Sequence, residues 1–115
     1  MHALVVSYAL RDATPGEHAE LCEQLAPAVA AIRGLASTTW LANPVTGRFG
    51  AFFVFATKPD FDRFVASELF ETISSHGSIH QLKASDYSIS DRPTAVTDGP
   101  VSSADTTATV AAGTT

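Results

Sequence analysis

The chain has 115 residues, 45% of them apolar, and a formal net charge of −5 at pH 7. This length accommodates one hydrophobic core, so we expect a single domain. The seven Lys and Arg residues are scattered along the chain, so the basic patch required for binding nucleic acid or an anionic membrane is not expected.

Cys22 is the only cysteine, which excludes an intrachain disulfide and a multi-cysteine metal site and agrees with a reducing compartment. The first residues include no basic region before a short apolar run, so neither a signal peptide nor a membrane-spanning helix is predicted. We therefore expect a soluble cytoplasmic protein.

The first predicted strand is the continuous apolar run from Ala3 to Leu10, which is typical of a strand buried on both faces. Thr14-Pro15-Gly16-Glu17 has the pattern of a capping box with Pro at the first helical position, so a helix is expected to begin here. Its apolar stripe extends to Ile32, Gly34 is expected to end it, and Pro27 predicts a bend.

A β-hairpin is predicted next, because residues 37–42 and 49–56 are rich in β-branched and aromatic residues and Asn43 to Gly47 is turn sequence. A second helix is expected to begin after Thr57 and to carry one apolar stripe to the region of Gly77. Residues 79–89 predict an edge strand, because charged residues interrupt their apolar pattern.

The order βαββαβ predicts a ferredoxin-like α+β fold over residues 1–92, with one four-stranded antiparallel sheet. Two helices can cover only one face of such a sheet, whereas two of its strands are apolar throughout. The other face therefore predicts a homodimer in which sheet packs on sheet. Residues 93–115 contain no aromatic residue, Leu or Ile, and are expected to form a disordered tail.

Four sequence features carry a resemblance to a known family. They are Glu23-Gln24-Leu25-Ala26-Pro27, Gly34-Leu35 with Trp40 six residues after the glycine, Gly50 with the aromatic strand to Phe55, and the His76-Gly77 turn. Over residues 3–93 the chain resembles the YdhR-type monooxygenases of the dimeric α+β-barrel superfamily, which includes the antibiotic-biosynthesis monooxygenases. This resemblance implies a homodimer whose pocket oxygenates a small electron-rich aromatic molecule, of quinol or anthrone type, without flavin, haem or metal.

Two histidines are candidates for the catalytic base. Alternating chain direction predicts that the end of the first strand, the start of the first helix and the end of the second helix meet at one end of the fold. His18 and His76 each lie in phase with an apolar helical stripe, so both imidazoles are expected to point inward. We predict His76 as the base and His18 as the second candidate. The alternative is a structural histidine at each helix end.

The predicted substrate-binding residues belong to the same end of the fold or to the aromatic strand. They are Tyr8, Leu25, Trp40, Phe53, Phe55 and His80. Phe52 and Val54 are the alternatives to Phe53 and Phe55, because a shift of one residue exchanges the two faces of a strand. Phe70 lies off the helical stripe and is interpreted as an exposed contact residue.

No metal or organic cofactor is predicted. Gly77 interrupts the His76-x-x-x-His80 spacing and no third ligand lies at a matching distance, and no dinucleotide fingerprint is present. Two other functions remain open: a non-catalytic dimer that binds a small molecule or a partner, and haem degradation or a cyclase or isomerase role on the same barrel. The haem-degrading relatives have an asparagine on the first strand, whereas this strand has none.

Overall fold

The sheet and helices follow the predicted order in the computed structural model, which describes residues 1–101. The elements are β1 (His2–Leu10), α1 (Pro15–Ala30), β2 (Leu35–Asn43), β3 (Arg48–Phe55), α2 (Lys58–Val65), α3 (Glu68–Ser74), β4 (Ile79–Ser88) and α4 (Asp91–Val96). The strands form one antiparallel sheet in the order β2-β3-β1-β4. The predicted ferredoxin-like α+β fold is confirmed, with the second helix divided in two and with α4 added.

The two apolar strands are the central strands of the sheet. β1 pairs with β3 so that Leu4 lies opposite Phe53, and both side chains face the helices. The core cluster contains Leu4, Val6, Tyr8, Val29, Phe49, Ala51, Phe53, Phe55, Phe61 and Phe64. The face that the sequence left undecided is therefore settled: Phe53 and Phe55 point to the helices, and Phe52 and Val54 point to the opposite, outer face.

The start of α1 agrees with its capping box. The Thr14 hydroxyl accepts the Glu17 amide, and the Glu17 carboxylate accepts the Thr14 amide. The helix ends at Ala30, earlier than expected, so the prediction that Gly34 ends it is wrong. Gly34 instead has φ +82° in the turn before β2, where a side chain would overlap Asp60 at the start of α2. Glycine allows both the turn and the close approach.

The second predicted helix is broken between Val65 and Glu68. The Ser67 side chain accepts the Phe70 amide and so caps a new helix, α3. The stripe extrapolated from α2 still places Leu69 and Ile73 inward, but the new helix also buries a residue beside that stripe, and it ends at Ser74, before His76. Phe70 accordingly packs against Phe64 with ring centroids 5.1 Å apart, and His76 is exposed. The prediction of an exposed Phe70 is wrong because a new helix begins after Ser67, and the prediction of an inward His76 is wrong because this helix ends before His76.

The segment after β4 is helical at its beginning. α4 contains residues 93–96, the first residues of the predicted disordered tail, and its Ala95 is buried. Residues 102–115 of the predicted tail lie outside the described residues. Among the helices of residues 1–101, none has the length and apolar character needed to cross a membrane.

Candidate functional site

An apolar pocket of about 410 Å³ opens between α1, β2 and the β2–β3 hairpin. Its walls come from the first turns of the helix and from the end of the edge strand. They consist of Pro15, His18, Ala19, Cys22, Glu23, Ala26, Trp40, Leu41, Ala42, Pro44 and Phe49. A pocket of this size and apolar character is suited to a small organic ligand.

Side-chain size explains why the pocket is present. α1 presents Ala19, Cys22 and Ala26 to the pocket, and their spacing of three and four residues places them on one helical face. Because these side chains are small, the helix leaves a gap beside β2. Trp40 lies in the middle of this gap and remains 37% exposed. It also borders a cavity of about 340 Å³ farther along the same groove.

His18 is a buried polar residue on the pocket wall. Its side chain is 6% exposed, its ring centroid lies 4.8 Å from that of Phe49, and its Nε2 atom lies 2.6 Å from the Tyr8 hydroxyl. Burial lowers the pKa of His18, because desolvation disfavours the imidazolium. The imidazole is therefore neutral at pH 7, and the predicted inward orientation of His18 is confirmed.

Tyr8 is the hydrogen-bond partner of His18 from β1. Burial raises the pKa of Tyr8 to about 12, with a smaller contribution from Cys22, so the phenol keeps its proton at neutral pH. The pair has two possible tautomeric arrangements. When Nε2–H donates to the Tyr8 hydroxyl oxygen, Nδ1 carries a lone pair whose neighbour is the weak Cys22 thiol donor at 3.8 Å. In this arrangement Nδ1 can accept a substrate proton, and His18 can act as a base.

His76 lies outside the apolar pocket. It borders a separate cavity of about 130 Å³, which His18 also lines together with Asp12 and Glu17. The Nδ1 atom of His76 accepts a hydrogen bond from the amide of Ser78 at 3.1 Å. The ends of β1 and α3 and the start of α1 therefore meet as predicted, but His76 borders only this second cavity and not the apolar pocket.

The remaining predicted site residues separate into three groups. Trp40 lines the apolar pocket, and Leu25, Tyr8 and Phe53 line a small core cavity of about 30 Å³ that Trp40 also borders. Phe55 has no exposed surface, so its assignment to substrate binding is corrected to a core role. His80 interacts with Arg11 and lines none of these cavities, so its assignment is corrected too.

Several pocket residues were missed in the sequence. Ala19, Cys22 and Ala26 recur at helical spacing, and a face of small side chains is the local signal that could have identified a gap beside this helix. Cys22 also lines the pocket, and its sulfur lies 3.6 Å from His18 Nε2. Within residues 1–101, no three His, Cys, Asp or Glu side chains are grouped closely enough to hold a metal ion.

Comparisons with known proteins agree with this architecture. A protein of unknown function from Nitrosomonas europaea has a TM-score of 0.65 and 15% identity, covering 77% of this chain and 88% of its own. SnoaB, a cofactor-independent oxygenase from Streptomyces nogalater, has a TM-score of 0.63 and 15% identity, covering 77% and 92%. At such identities the likeness establishes the fold alone.

Sequence comparison identifies the family. No curated protein sequence matches the chain, whereas the family model described as "Putative mono-oxygenase ydhR" matches residues 4–100. This range contains α1, the sheet except for the first two residues of β1, and every residue that lines the apolar pocket. The chain therefore belongs to the YdhR family of mono-oxygenase-like proteins.

Proposed function

We propose that the protein is a cofactor-independent monooxygenase for a small electron-rich aromatic molecule, of quinol or anthrone type. The observation that carries this proposal is the buried, neutral His18 on the wall of an otherwise largely apolar pocket. Membership of the YdhR family supports the reaction class. The name of SnoaB, which has the same fold, supports chemistry without a cofactor.

The first step is removal of a substrate proton. Dioxygen reacts readily with an electron-rich aromatic anion, so the protein needs a base and a pocket that holds the anion flat. Nδ1 of His18 accepts the proton, and Tyr8 orients the ring through Nε2. The rings of Trp40 and Phe49 supply apolar walls that position the substrate and exclude water.

Oxygen transfer then balances without a reductant. For an anthrone-type substrate, a ring CH₂ group becomes a carbonyl group, so the carbon loses four electrons and dioxygen gains them. One oxygen atom forms the carbonyl, and the other leaves as water with the two hydrogens of the CH₂ group. For a quinol, one ring C–H becomes C–OH and the two hydroxyl carbons become carbonyls, which is also a four-electron oxidation, and the second oxygen atom again leaves as water. The proton held by His18 returns to the peroxide that forms between the anion and dioxygen, before the O–O bond breaks. His18 thus replaces His76 as the proposed base.

Oxygen uptake by the metal-stripped, colourless protein tests this proposal. With hydroquinone and anthrone as substrates, His18→Gln is expected to lower kcat by about 10²- to 10⁴-fold, as is typical when a general base is lost. His76→Gln is the matched control and is expected to retain the wild-type rate. Equal rates for the wild type and His18→Gln would contradict the assignment of His18 as the catalytic base. Ligand binding without oxygen uptake would favour a non-catalytic binding protein.

We also propose that the protein acts as a homodimer through the outer face of its sheet. Val5 and Phe52 lie opposite each other on this face and are only half-buried, and Tyr87 on β4 is 60% exposed. Sheet-on-sheet packing would bury these side chains. In sedimentation velocity, Phe52→Glu is expected to shift the protein to monomer, whereas Val45→Glu in the exposed hairpin is not. A wild-type monomer would contradict the proposal.

A further inference from the structure

Glu23 is the one carboxylate among the residues that line the apolar pocket. Its side chain is exposed at the rim, and within the described part of the chain it forms no ion pair. The carboxylate of Glu17, by contrast, is occupied by the capping box. Glu23 is therefore available to a bound molecule.

His18 and Glu23 border the pocket floor on its two sides, because their side chains leave α1 in different directions. The two residues are five positions apart on α1, which separates their Cα atoms by about 9 Å and rotates their side chains by about 140°. The small side chains of Ala19, Cys22 and Ala26 lie between these directions. A ligand that rests on this floor therefore meets a buried imidazole at one end and a carboxylate at the other.

Glu23 contributes only acceptors to this end of the pocket. A carboxylate accepts hydrogen bonds, attracts O–H and N–H donors, and repels other anions. The carbonyl oxygen of Glu23 also lacks its α-helical donor, because the residue four positions later is Pro27. An acceptor at the pocket rim favours a ligand that carries a donor at the end remote from His18.

We infer that Glu23 selects neutral aromatic substrates with hydroxyl groups at opposite ends of the ring, and disfavours aromatic carboxylates. One hydroxyl lies at His18, and the other donates a hydrogen bond to Glu23. This bond to a carboxylate raises the electron density of the ring, which is the property that reaction with dioxygen requires. The inference rests on the proposed function of the same pocket.

Binding without turnover tests the inference. Trp40 is the only tryptophan of the chain and borders the pocket, so its fluorescence reports ligand binding under anaerobic conditions. The probes are hydroquinone, 4-methoxyphenol, in which an ether replaces one hydroxyl, and 4-hydroxybenzoate, in which a carboxylate replaces it. The wild type is expected to bind hydroquinone about three- to tenfold more tightly than 4-methoxyphenol, and 4-hydroxybenzoate more weakly than either.

Two variants assign this preference to Glu23. In Glu23→Ala the advantage of hydroquinone is expected to fall below about twofold, and in Glu23→Gln the affinity for 4-hydroxybenzoate should rise because the like charge is removed. Glu20→Gln is the matched control, since Glu20 is also exposed on α1 but does not line the pocket. It should behave as wild type.

The outcomes separate this inference from the proposed function. A wild-type pattern of relative affinities in Glu23→Ala would overturn the role of Glu23, even if oxygen uptake is observed. A preference that depends on Glu23, found in a protein that consumes no oxygen, would support the selectivity and refute the oxygenase. Absence of any fluorescence change with all three probes would overturn the inference, whereas the proposed function is judged by oxygen uptake.

Discussion

Removal of the Tyr8 hydroxyl should destabilise the protein through the loss of its bond to His18. Tyr8→Phe keeps the aromatic ring in the core and deletes only the oxygen atom. That oxygen lies 2.6 Å from Nε2 of His18, and the two residues are 7% and 6% exposed. Because water has little access to either group, it cannot take the place of the missing partner.

The expected loss of stability depends on what remains near the His18 imidazole after the hydroxyl is removed. An internal hydrogen bond contributes about 1 kcal/mol, and a buried polar atom without a partner costs about 1–3 kcal/mol. The neighbour left near Nε2 is the sulfur of Cys22 at 3.6 Å, which is a weak hydrogen-bond partner. We therefore expect the free energy of unfolding to fall by about 2 kcal/mol. Each kcal/mol lowers the Tm of a small domain by about 4–8 °C.

Urea-induced unfolding at pH 7.5, followed by the fluorescence of Trp40, measures this loss. Tyr87→Phe is the control, because Tyr87 is 60% exposed and its hydroxyl should contribute less than about 0.5 kcal/mol. A double-mutant cycle with His18→Leu isolates the pair. In the His18→Leu background the Tyr8 hydroxyl has itself lost this partner, so Tyr8→Phe should there be neutral or stabilising.

Two results would refute this reasoning. The first is an unchanged urea midpoint for Tyr8→Phe at an unchanged slope, which would mean that the hydrogen bond contributes nothing to stability. The second is an equal destabilisation in the presence and in the absence of the imidazole. In that case the hydroxyl would act through some contact other than His18.

Three further predictions concern acid stability and packing. Since the pKa of His18 is lowered on folding, the unfolded chain binds more protons than the folded protein below about pH 6.5, and the free energy of unfolding should fall there by up to about 1.4 kcal/mol per pH unit. Between pH 7.5 and 5.5, urea titrations should show a smaller fall for His18→Gln than for the wild type, and equal falls would contradict this. Gly50→Ala should lower the free energy of unfolding by about 2 kcal/mol or more, because the new Cβ overlaps the Val6 carbonyl oxygen, whereas Gly77→Ala meets open space and should be near neutral. Thermal unfolding compares the two variants, and similar Tm values would refute the steric argument. Phe55→Ala removes a ring with no exposed surface and should cost about 3–5 kcal/mol in urea unfolding; a cost below 1 kcal/mol would contradict its placement in the core.

Local sequence patterns correctly predicted the features that depend on residues close together in the chain. The capping box at Thr14 and Glu17 involves residues three positions apart, so its hydrogen bonds follow from the sequence alone. The continuous apolar runs of β1 and β3 predicted two central strands, because only a strand covered on both faces is apolar throughout. The inward orientation of His18 followed from helical phase within a single unbroken helix.

Helical periodicity did not predict the second helical segment correctly, because this segment consists of two helices. The Ser67 hydroxyl caps α3 after α2 ends at Val65. Phe70 of this new helix packs against the core, and the helix ends at Ser74, so that His76 lies in the following turn and is exposed. Serine occurs both inside helices and at caps, and its choice depends on the surrounding packing. The sequence therefore indicated one long helix, but neither its interruption nor its end at Ser74, which leaves His76 outside the helix.

The sequence by itself determined the fold class, the order of the four strands and the first helix, and the burial of His18, because these depend on periodicity and on contacts between near neighbours. Only the tertiary structure decided the site. The pocket depends on how closely the small residues of α1 approach β2, and the partner of His18 is Tyr8, on a different element. Both depend on how a helix packs against a sheet, which no periodicity within one segment specifies.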